Sequence, residues 1–355
     1  MTQNITYFGW IGYNNLGDEA IYLANKMLFD GKELIPSDYS NLYDLALFGG
    51  GTVVPPAKNV FTHAKRHDRV IGIGVGVKDP QIRNQKFKPI DLAFSLGKVG
   101  QNELLRNKFV SYSLRPFTFV SDSINTYDHY IHEDSFDRLR DFDRLGVRGP
   151  ISEQILSKRG ISCEVVGDTA LVLEPSEYKH SRSDKVAVSM RPGSFKWSND
   201  DHHLDTVLDF CRQRSGDFEF VFAPLNPKDI PFHLEAAETI PNATFCDYST
   251  TNNVYSLLNL YSGCDAVIGE RLHASVLSAC CFTPFISIEY RTKNRDFAES
   301  VNMGDFNRRC DEITRQWLNE RLEECVVNDG IQDELEESVN NRRRQLDDFS
   351  KQLTN

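Results

Sequence analysis

The chain has 355 residues, 40% of them apolar and 26% charged, which is enough apolar material for two packed domains and too much for a disordered chain. A formal net charge of −11 excludes a general nucleic-acid binder, whose phosphate contacts need a basic face, but leaves room for a local basic pocket. No apolar run reaches the ~20 residues that cross a bilayer, and no basic-then-apolar leader opens the chain. The expectation is a cytoplasmic protein without a membrane span, which would meet the inner face of the cytoplasmic membrane only through its substrate.

Residues 5–11, mostly apolar and aromatic, read as a first strand. The loop Gly12-Tyr-Asn-Asn15-Leu-Gly17-Asp18-Glu19 follows, and residues 20–29 have helical spacing. Its glycines let a backbone approach a ligand, while Asp18 and Glu19 suit a first helical turn. Asp18 reads equally as a plain helix cap. The loop is neither a P-loop nor a dinucleotide fingerprint, since both spacings fail. A second strand over 44–48 ends in Gly49-Gly50-Gly51-Thr52, a run that invites close approach to the backbone. A third strand, 70–77, carries Gly72, Gly74 and Gly76. Strands separated by helix-length segments imply βαβ units and a parallel sheet. From 78 to 143 the pattern weakens; a strand over 117–120 and a loop over the site are expected there.

A strand ending at Arg148 then leads through Gly149-Pro150 into a helix, proline being favoured in a first turn. Another strand, 163–166, precedes Gly167-Asp168-Thr169. Arg148 reads either as a ligand-binding arginine or as a bridge to Asp168, and Asp168 as a turn cap. Residues 173–184 look like a linker, and a new series opens with a strand over 185–190 that ends at Arg191. Helices over 205–212, 233–238 and 253–261 alternate with strands over 218–223 and 244–246.

The strand 264–268 runs into Ile268-Gly-Glu270-Arg271-Leu-His273-Ala-Ser275 and a buried helix, 273–282. Arg271 and His273 therefore sit where a strand ends and a helix begins, the ligand-binding edge of an open α/β sheet. The helix N-terminus and the guanidinium fork suit a carboxylate or phosphate. His273 is the side chain suited to move a proton near neutral pH, or it only holds the donor. Glu270 is a further candidate there, as a donor-side residue that orients Arg271. A strand over 284–288 ends at Glu289-Tyr-Arg291, and amphipathic helices over 313–325 and 334–353 close the chain. The eight cysteines form no CxxC pair and read as buried thiols. No metal site is legible, since His202 and His203 are adjacent rather than at ligand spacing.

Six motifs in order resemble the polysaccharide pyruvyltransferase family over roughly residues 5–295. They are Gly12-x-x-Asn15-x-Gly-Asp-Glu-Ala20, Phe48-Gly-Gly-Gly51, Ile73-Gly-Val-Gly76, Val147-Arg-Gly-Pro-Ile-Ser152, Val166-Gly-Asp168 and Gly269-Glu-Arg-Leu-His-Ala274. The resemblance implies an α/β fold of two Rossmann-like domains in a GT-B-like arrangement. An N-terminal domain over 1–174 would be the acceptor side, with Asn15, Gly17, Asp18, Gly50 and Gly51 on it. A domain over 185–330 would hold the donor, and a final helix, 331–355, would pack back on the first. The resemblance also implies transfer of pyruvate from phosphoenolpyruvate onto two hydroxyls of a sugar, in a cell-surface polysaccharide or its lipid-linked precursor, giving a ketal. Arg271, His273, Arg191 and Arg148 would serve that donor, which is a co-substrate, and no cofactor is implied. The competing readings are a glycosyltransferase using a nucleotide sugar and a non-catalytic saccharide-binding relative. The acceptor sugar and the oligomeric state are not legible.

Overall fold

A computed structural model describes residues 4–40, 42–51, 53–78, 134–178, 182–193 and 202–354. The strand expected over 117–120 and the loop expected over the site fall outside the described residues. The first sheet contains β1 (Asn4–Phe8), β2 (Glu33–Pro36), β3 (Leu45–Gly49), β4 (Arg69–Val75), β5 (Arg144–Val147) and β6 (Glu164–Val165), in the order β2-β1-β3-β4-β5-β6. The second contains β7 (Lys185–Ser189), β8 (Glu219–Phe222), β9 (Ala243–Phe245), β10 (Ala266–Gly269), β11 (Phe285–Glu289) and β12 (Asn307–Arg309), in the order β12-β11-β10-β7-β8-β9. Every pairing is parallel; Val267 of β10, for instance, lies between Ala187 and Phe285. All residues of β3, β10 and β11 are buried, because helices cover both faces of a parallel sheet.

Both strand orders place the site. Strand order reverses between β1 and β3 in the first sheet and between β7 and β10 in the second, and such switch points open a crevice at the carboxyl ends of the strands. The segments leaving β1, β7 and β10 are those that carry Asp18, Arg191 and Arg271.

Two helices begin at these crevices, α1 (Leu16–Leu28) after β1 and, further on, the helix after β10. The start of α1 lies four residues before the expected one, because Asn15 caps it: its Oδ1 accepts from the Gly17 N–H at 3.2 Å. Strand β1 in turn stops at Phe8, so Trp10 and Ile11 belong to the loop. The short α2 (Lys58–Ala64), the edge strand β2 and the three-residue β12 had no clear pattern in the sequence. Next come α3 (Pro150–Ser157), α4 (His202–Arg214), α5 (Ile230–Thr239) and α6 (Val254–Ser262). They are followed by α7 (Leu272–Cys280), α8 (Thr292–Ser300), α9 (Arg315–Val327) and α10 (Asp329–Thr354).

The halves share one core, in which Ala170 and Leu171 of the first half join Leu272, Val276 and Cys280 of α7. Polar contacts cross between them too. Leu16 N–H donates to the Leu225 carbonyl at 3.0 Å. The start of α3, which has no cap of its own, is capped from α8. Asp296 accepts the Ile151 and Ser152 N–H groups, each at 3.0 Å, and the Ser152 hydroxyl at 2.6 Å.

Helix α10 leaves the second half and returns to the first. Arg342 donates to the Ser300 carbonyl (2.8 Å) and the Val165 carbonyl (3.3 Å), and Arg144 of β5 lies over the Phe349 ring at 4.3 Å. Arg343 donates to the carbonyls of Leu171 (2.7 Å), Leu173 (3.1 Å) and Cys280 (3.0 Å), so one guanidinium binds both halves. The molecule thus has the two-Rossmann-like GT-B arrangement. Removing that guanidinium leaves the three carbonyls without it, at about 1–3 kcal/mol per charged hydrogen bond. Arg343→Ala is therefore expected to lower the unfolding free energy by about 3 kcal/mol, measured as a lower denaturation midpoint at unchanged slope.

Candidate active site

The N-terminal turns of α1 and α7 meet. Gly17 lies so close to the imidazole of His273 that a Cβ on Gly17 would come within 2.2 Å of Nδ1. The ring is 9% exposed, and its Nε2 has no hydrogen-bond partner. Asp168 Oδ2 is nearest among the carboxylates, at 3.8 Å, beyond hydrogen-bond reach. Burial pushes the His273 pKa down to about 4, and Arg148, Lys293 and Arg271 push the same way against Asp168. At neutral pH the ring is therefore an uncharged base. The cause is burial beside three cations.

Arg148 enters from the first half, wholly buried, with its guanidinium against Gly76; a Cβ there would lie 2.7 Å from Nη1. Its Nε donates to Asp168 Oδ2 at 2.8 Å, while Nη1 and Nη2 are buried without partners among the described residues. Asp168 Oδ1 accepts from the Ala170 N–H at 3.1 Å. Both sequence readings of this pair hold at once: Asp168 is a turn cap and Arg148 its bridge. The bridge uses only one edge of the fork, and two N–H₂ groups remain, each costing roughly 1–3 kcal/mol while unsatisfied. Gly50 and Gly51 have left-handed backbones (φ 76° and 74°) and stand behind this group, since the Gly51 carbonyl accepts from Gly76 N–H at 2.6 Å.

Arg271 is held by Asp229, which accepts from its Nε and, at 2.8 Å, from its Nη2. The expected open fork is thus half occupied, and the Nη1 side is what remains for a ligand. Asp229 had no signal in the sequence beyond its place after the Pro224–Pro227 break. Its carbonyl accepts from His233 Nδ1 (2.9 Å), which leaves His233 Nε2 to accept from the Met190 N–H (3.0 Å); burial keeps this ring neutral. Glu270 is fully buried and accepts from the Arg191 N–H at 2.8 Å, with His203 Nε2 at 3.4 Å from its other oxygen. It fixes the turn after β7, and its negative charge also acts on the Arg271 guanidinium.

The Arg191 guanidinium lies over the Tyr290 ring at 4.9 Å, and Lys293 Nζ lies over the same ring at 4.9 Å. Burial would raise the Tyr290 pKa, but Lys293 and Arg191 outweigh it and hold the phenol at about 8. Burial lowers the pKa of Lys293. Lys293 and Tyr290 were missed by the sequence reading, which stopped at Arg291. The available signal was a lysine in a first helical turn, where the helix dipole disfavours a cation.

Asp18 faces the same group. Burial raises its pKa from 3.8 to about 6, against the pull of Lys293, the Asn15 hydrogen bond and Arg271. Gly17 stands against His273, and Arg148 from the same half acts on that ring. The residues gathered here come from both halves.

A family model for polysaccharide pyruvyl transferase matches residues 15–292, from the Asn15 cap to the start of α8. The chain belongs to the polysaccharide pyruvyl transferase family. It is thus a transferase of polysaccharide biosynthesis, with a polysaccharide as acceptor. No curated protein matches it. Among solved structures it is similar to the glycotransferase of kitacinnamycin, at 14% identity and TM-score 0.53 over 99% of this chain and 98% of that one. It is also similar to MnaA of S. aureus, solved with UDP, at 12% identity and TM-score 0.52 over 95% and 91%. Identities this low speak for the fold alone. No helix among the described residues is long and apolar enough to cross a membrane.

Asp18 supplies a test of the site's electrostatics. A folded-state pKa raised above the unfolded value means that ionising Asp18 destabilises the fold, increasingly as pH rises from about 4 to about 6. Asp18→Asn is expected to raise Tm at pH 7.5, with the gain vanishing towards pH 4, and to lower transfer activity at least tenfold. Scanning calorimetry across that pH range checks the sign; no gain at pH 7.5 would contradict the buried-carboxylate account.

Proposed function

We propose that the protein transfers pyruvate from phosphoenolpyruvate to two hydroxyls of one sugar, forming a ketal and releasing inorganic phosphate. The observation that carries this reading is the wholly buried Arg148, whose Nη1 and Nη2 lack partners, in one cluster with the unpartnered Nε2 of His273. Uncompensated buried donors of this kind are matched by a small anion that brings several acceptor oxygens. Phosphoenolpyruvate carries a carboxylate and a phosphate on three carbons, and Arg148, Arg271, Lys293 and Arg191 supply cations for both.

The chemistry follows from the charges. Protonation of the donor's methylene carbon leaves positive character on the adjacent carbon, where the first hydroxyl attacks and loses its proton. Phosphate then leaves with the C–O bonding pair, and the second hydroxyl closes the ketal. The proton gained by carbon is balanced by two hydroxyl protons, one of which departs with phosphate. A neutral His273 cannot donate, but an anion bound beside it raises its pKa, so donor binding arms the acid. Once it has given up the proton, the same ring serves as base towards a hydroxyl, and such groups typically contribute ~10²–10⁴-fold. Phosphoenolpyruvate is the co-substrate in this scheme, and no cofactor enters it. The acceptor is a sugar of a cell-surface polymer or of its lipid-linked precursor, reached from the cytoplasmic side.

Thermal stabilisation separates this reading from use of a nucleotide sugar. Phosphoenolpyruvate is expected to raise Tm and UDP to leave it unchanged; the reverse would sink the proposal. Arg191→Ala should weaken donor binding at least tenfold without disturbing the Arg148–Asp168 pair. Titration calorimetry at pH 6 in buffers of different ionisation enthalpy should show proton uptake on donor binding that His273→Asn abolishes. Uptake unchanged in that variant would reduce His273 to a ligand-holding role.

A further inference from the structure

The loop that carries Asn15, Gly17 and Asp18 to His273 also carries two large rings that the chemistry above does not use. Trp10 is 59% exposed and Tyr13 53%, with ring centroids 5.2 Å apart at 57°. Single exposed aromatics are ordinary, but a contacting, exposed pair in the segment that leads to Gly17 is an apolar surface close in the chain to the site. The loop beneath them is tied down at several points. Gly12 N–H donates to Glu19 Oε1 at 2.8 Å, Asn252 Nδ2 of the second half donates to Asn14 Oδ1 at 3.3 Å, and Leu16 N–H donates to the Leu225 carbonyl at 3.0 Å. The rings are therefore presented by a frame fixed to both halves.

The chemistry of the surface selects its occupant. The negative face of an indole or phenol ring attracts weakly positive C–H groups, and one face of a pyranose is a set of such groups. Neither ring brings a charge, which suits a neutral sugar better than the anionic donor. The same loop and its ties bring amide and carboxylate groups, those of Asn14, Asn252 and Glu19, of the kind that hydroxyls pair with. Tyr13 is four residues from Gly17, so their Cα atoms are at most ~14 Å apart, a gap that roughly one or two linked pyranose rings would span.

We propose that Trp10 and Tyr13 form the acceptor platform, stacking on a pyranose ring of the polysaccharide and presenting its hydroxyls to Asp18 and His273. The inference rests on reading the site as a pyruvyl-transfer centre. Saturation-transfer NMR on the full-length protein tests it, with methyl β-D-glucopyranoside, methyl β-D-galactopyranoside and their β-linked disaccharides as probes. Saturation is expected to reach the C–H protons of at least one probe, to fall at least tenfold in Trp10→Ala/Tyr13→Ala, and to survive largely in Trp10→Phe. Because both rings are exposed, the variants should keep the wild-type Tm and its rise with phosphoenolpyruvate. Equal saturation in the wild type and the double variant overturns the platform, as does no saturation of any probe by the wild type. The donor arm reads separately: if phosphoenolpyruvate does not stabilise the wild type while the double variant still loses saturation, the platform stands and the pyruvyl reading falls.

Discussion

The close approach of the Gly17 backbone to the His273 ring is the constraint from which the rest of the site follows. It brings the first turns of α1 and α7 together, and both are the positive ends of helix dipoles. A side chain at position 17 would hold the two switch points apart and leave two shallow crevices instead of one site. The same approach lets Arg148, from the first half, lie within electrostatic reach of Lys293 from the second.

Concentrating that much positive charge under cover demands internal anions, and the fold supplies them unevenly. Asp168 uses one edge of Arg148, Asp229 one edge of Arg271, and Glu270 the backbone of Arg191. Arg148 and Arg271 are thus fixed in place while part of their donor capacity is left over. Burial first, and neighbouring cations second, push His273 and Lys293 towards their neutral forms, while Lys293 and Arg191 hold Tyr290 towards its anion. Asp18 departs from this trend because its own burial outweighs the cations around it. A pocket biased in this way is short of negative charge even though the whole chain carries a net −11.

The scaffold explains the position of this chemistry but not its kind. The glycotransferase of kitacinnamycin and MnaA of S. aureus share the two-Rossmann-like frame at 12–14% identity, and function on such frames lies in sites grafted on them. Here the residues of the site come in two layers. Arg148, Arg271, Lys293 and His273 form the inner one, and His233, Glu270 and Asp296 hold the turns that carry them.

The sequence by itself determined the strand–helix alternation, the halves on either side of the 173–184 connection, and which strand ends carry Arg148, Arg191, Arg271 and His273. Those features are local, set by apolar runs, glycines and chain order. It left open whether Arg148 binds a ligand or bridges to Asp168, it placed Trp10 in a strand, and it did not bring Gly17 against His273. Lys293, Tyr290 and Asp229 went unnoticed. Only the tertiary structure decided these points, because they depend on which strand ends face which and on partners that the fold brings together, from 20 positions apart for Arg148 and Asp168 to opposite halves for Gly17 and His273. A side chain's charge state and its spare hydrogen bonds belong to its surroundings, which no local stretch of sequence records.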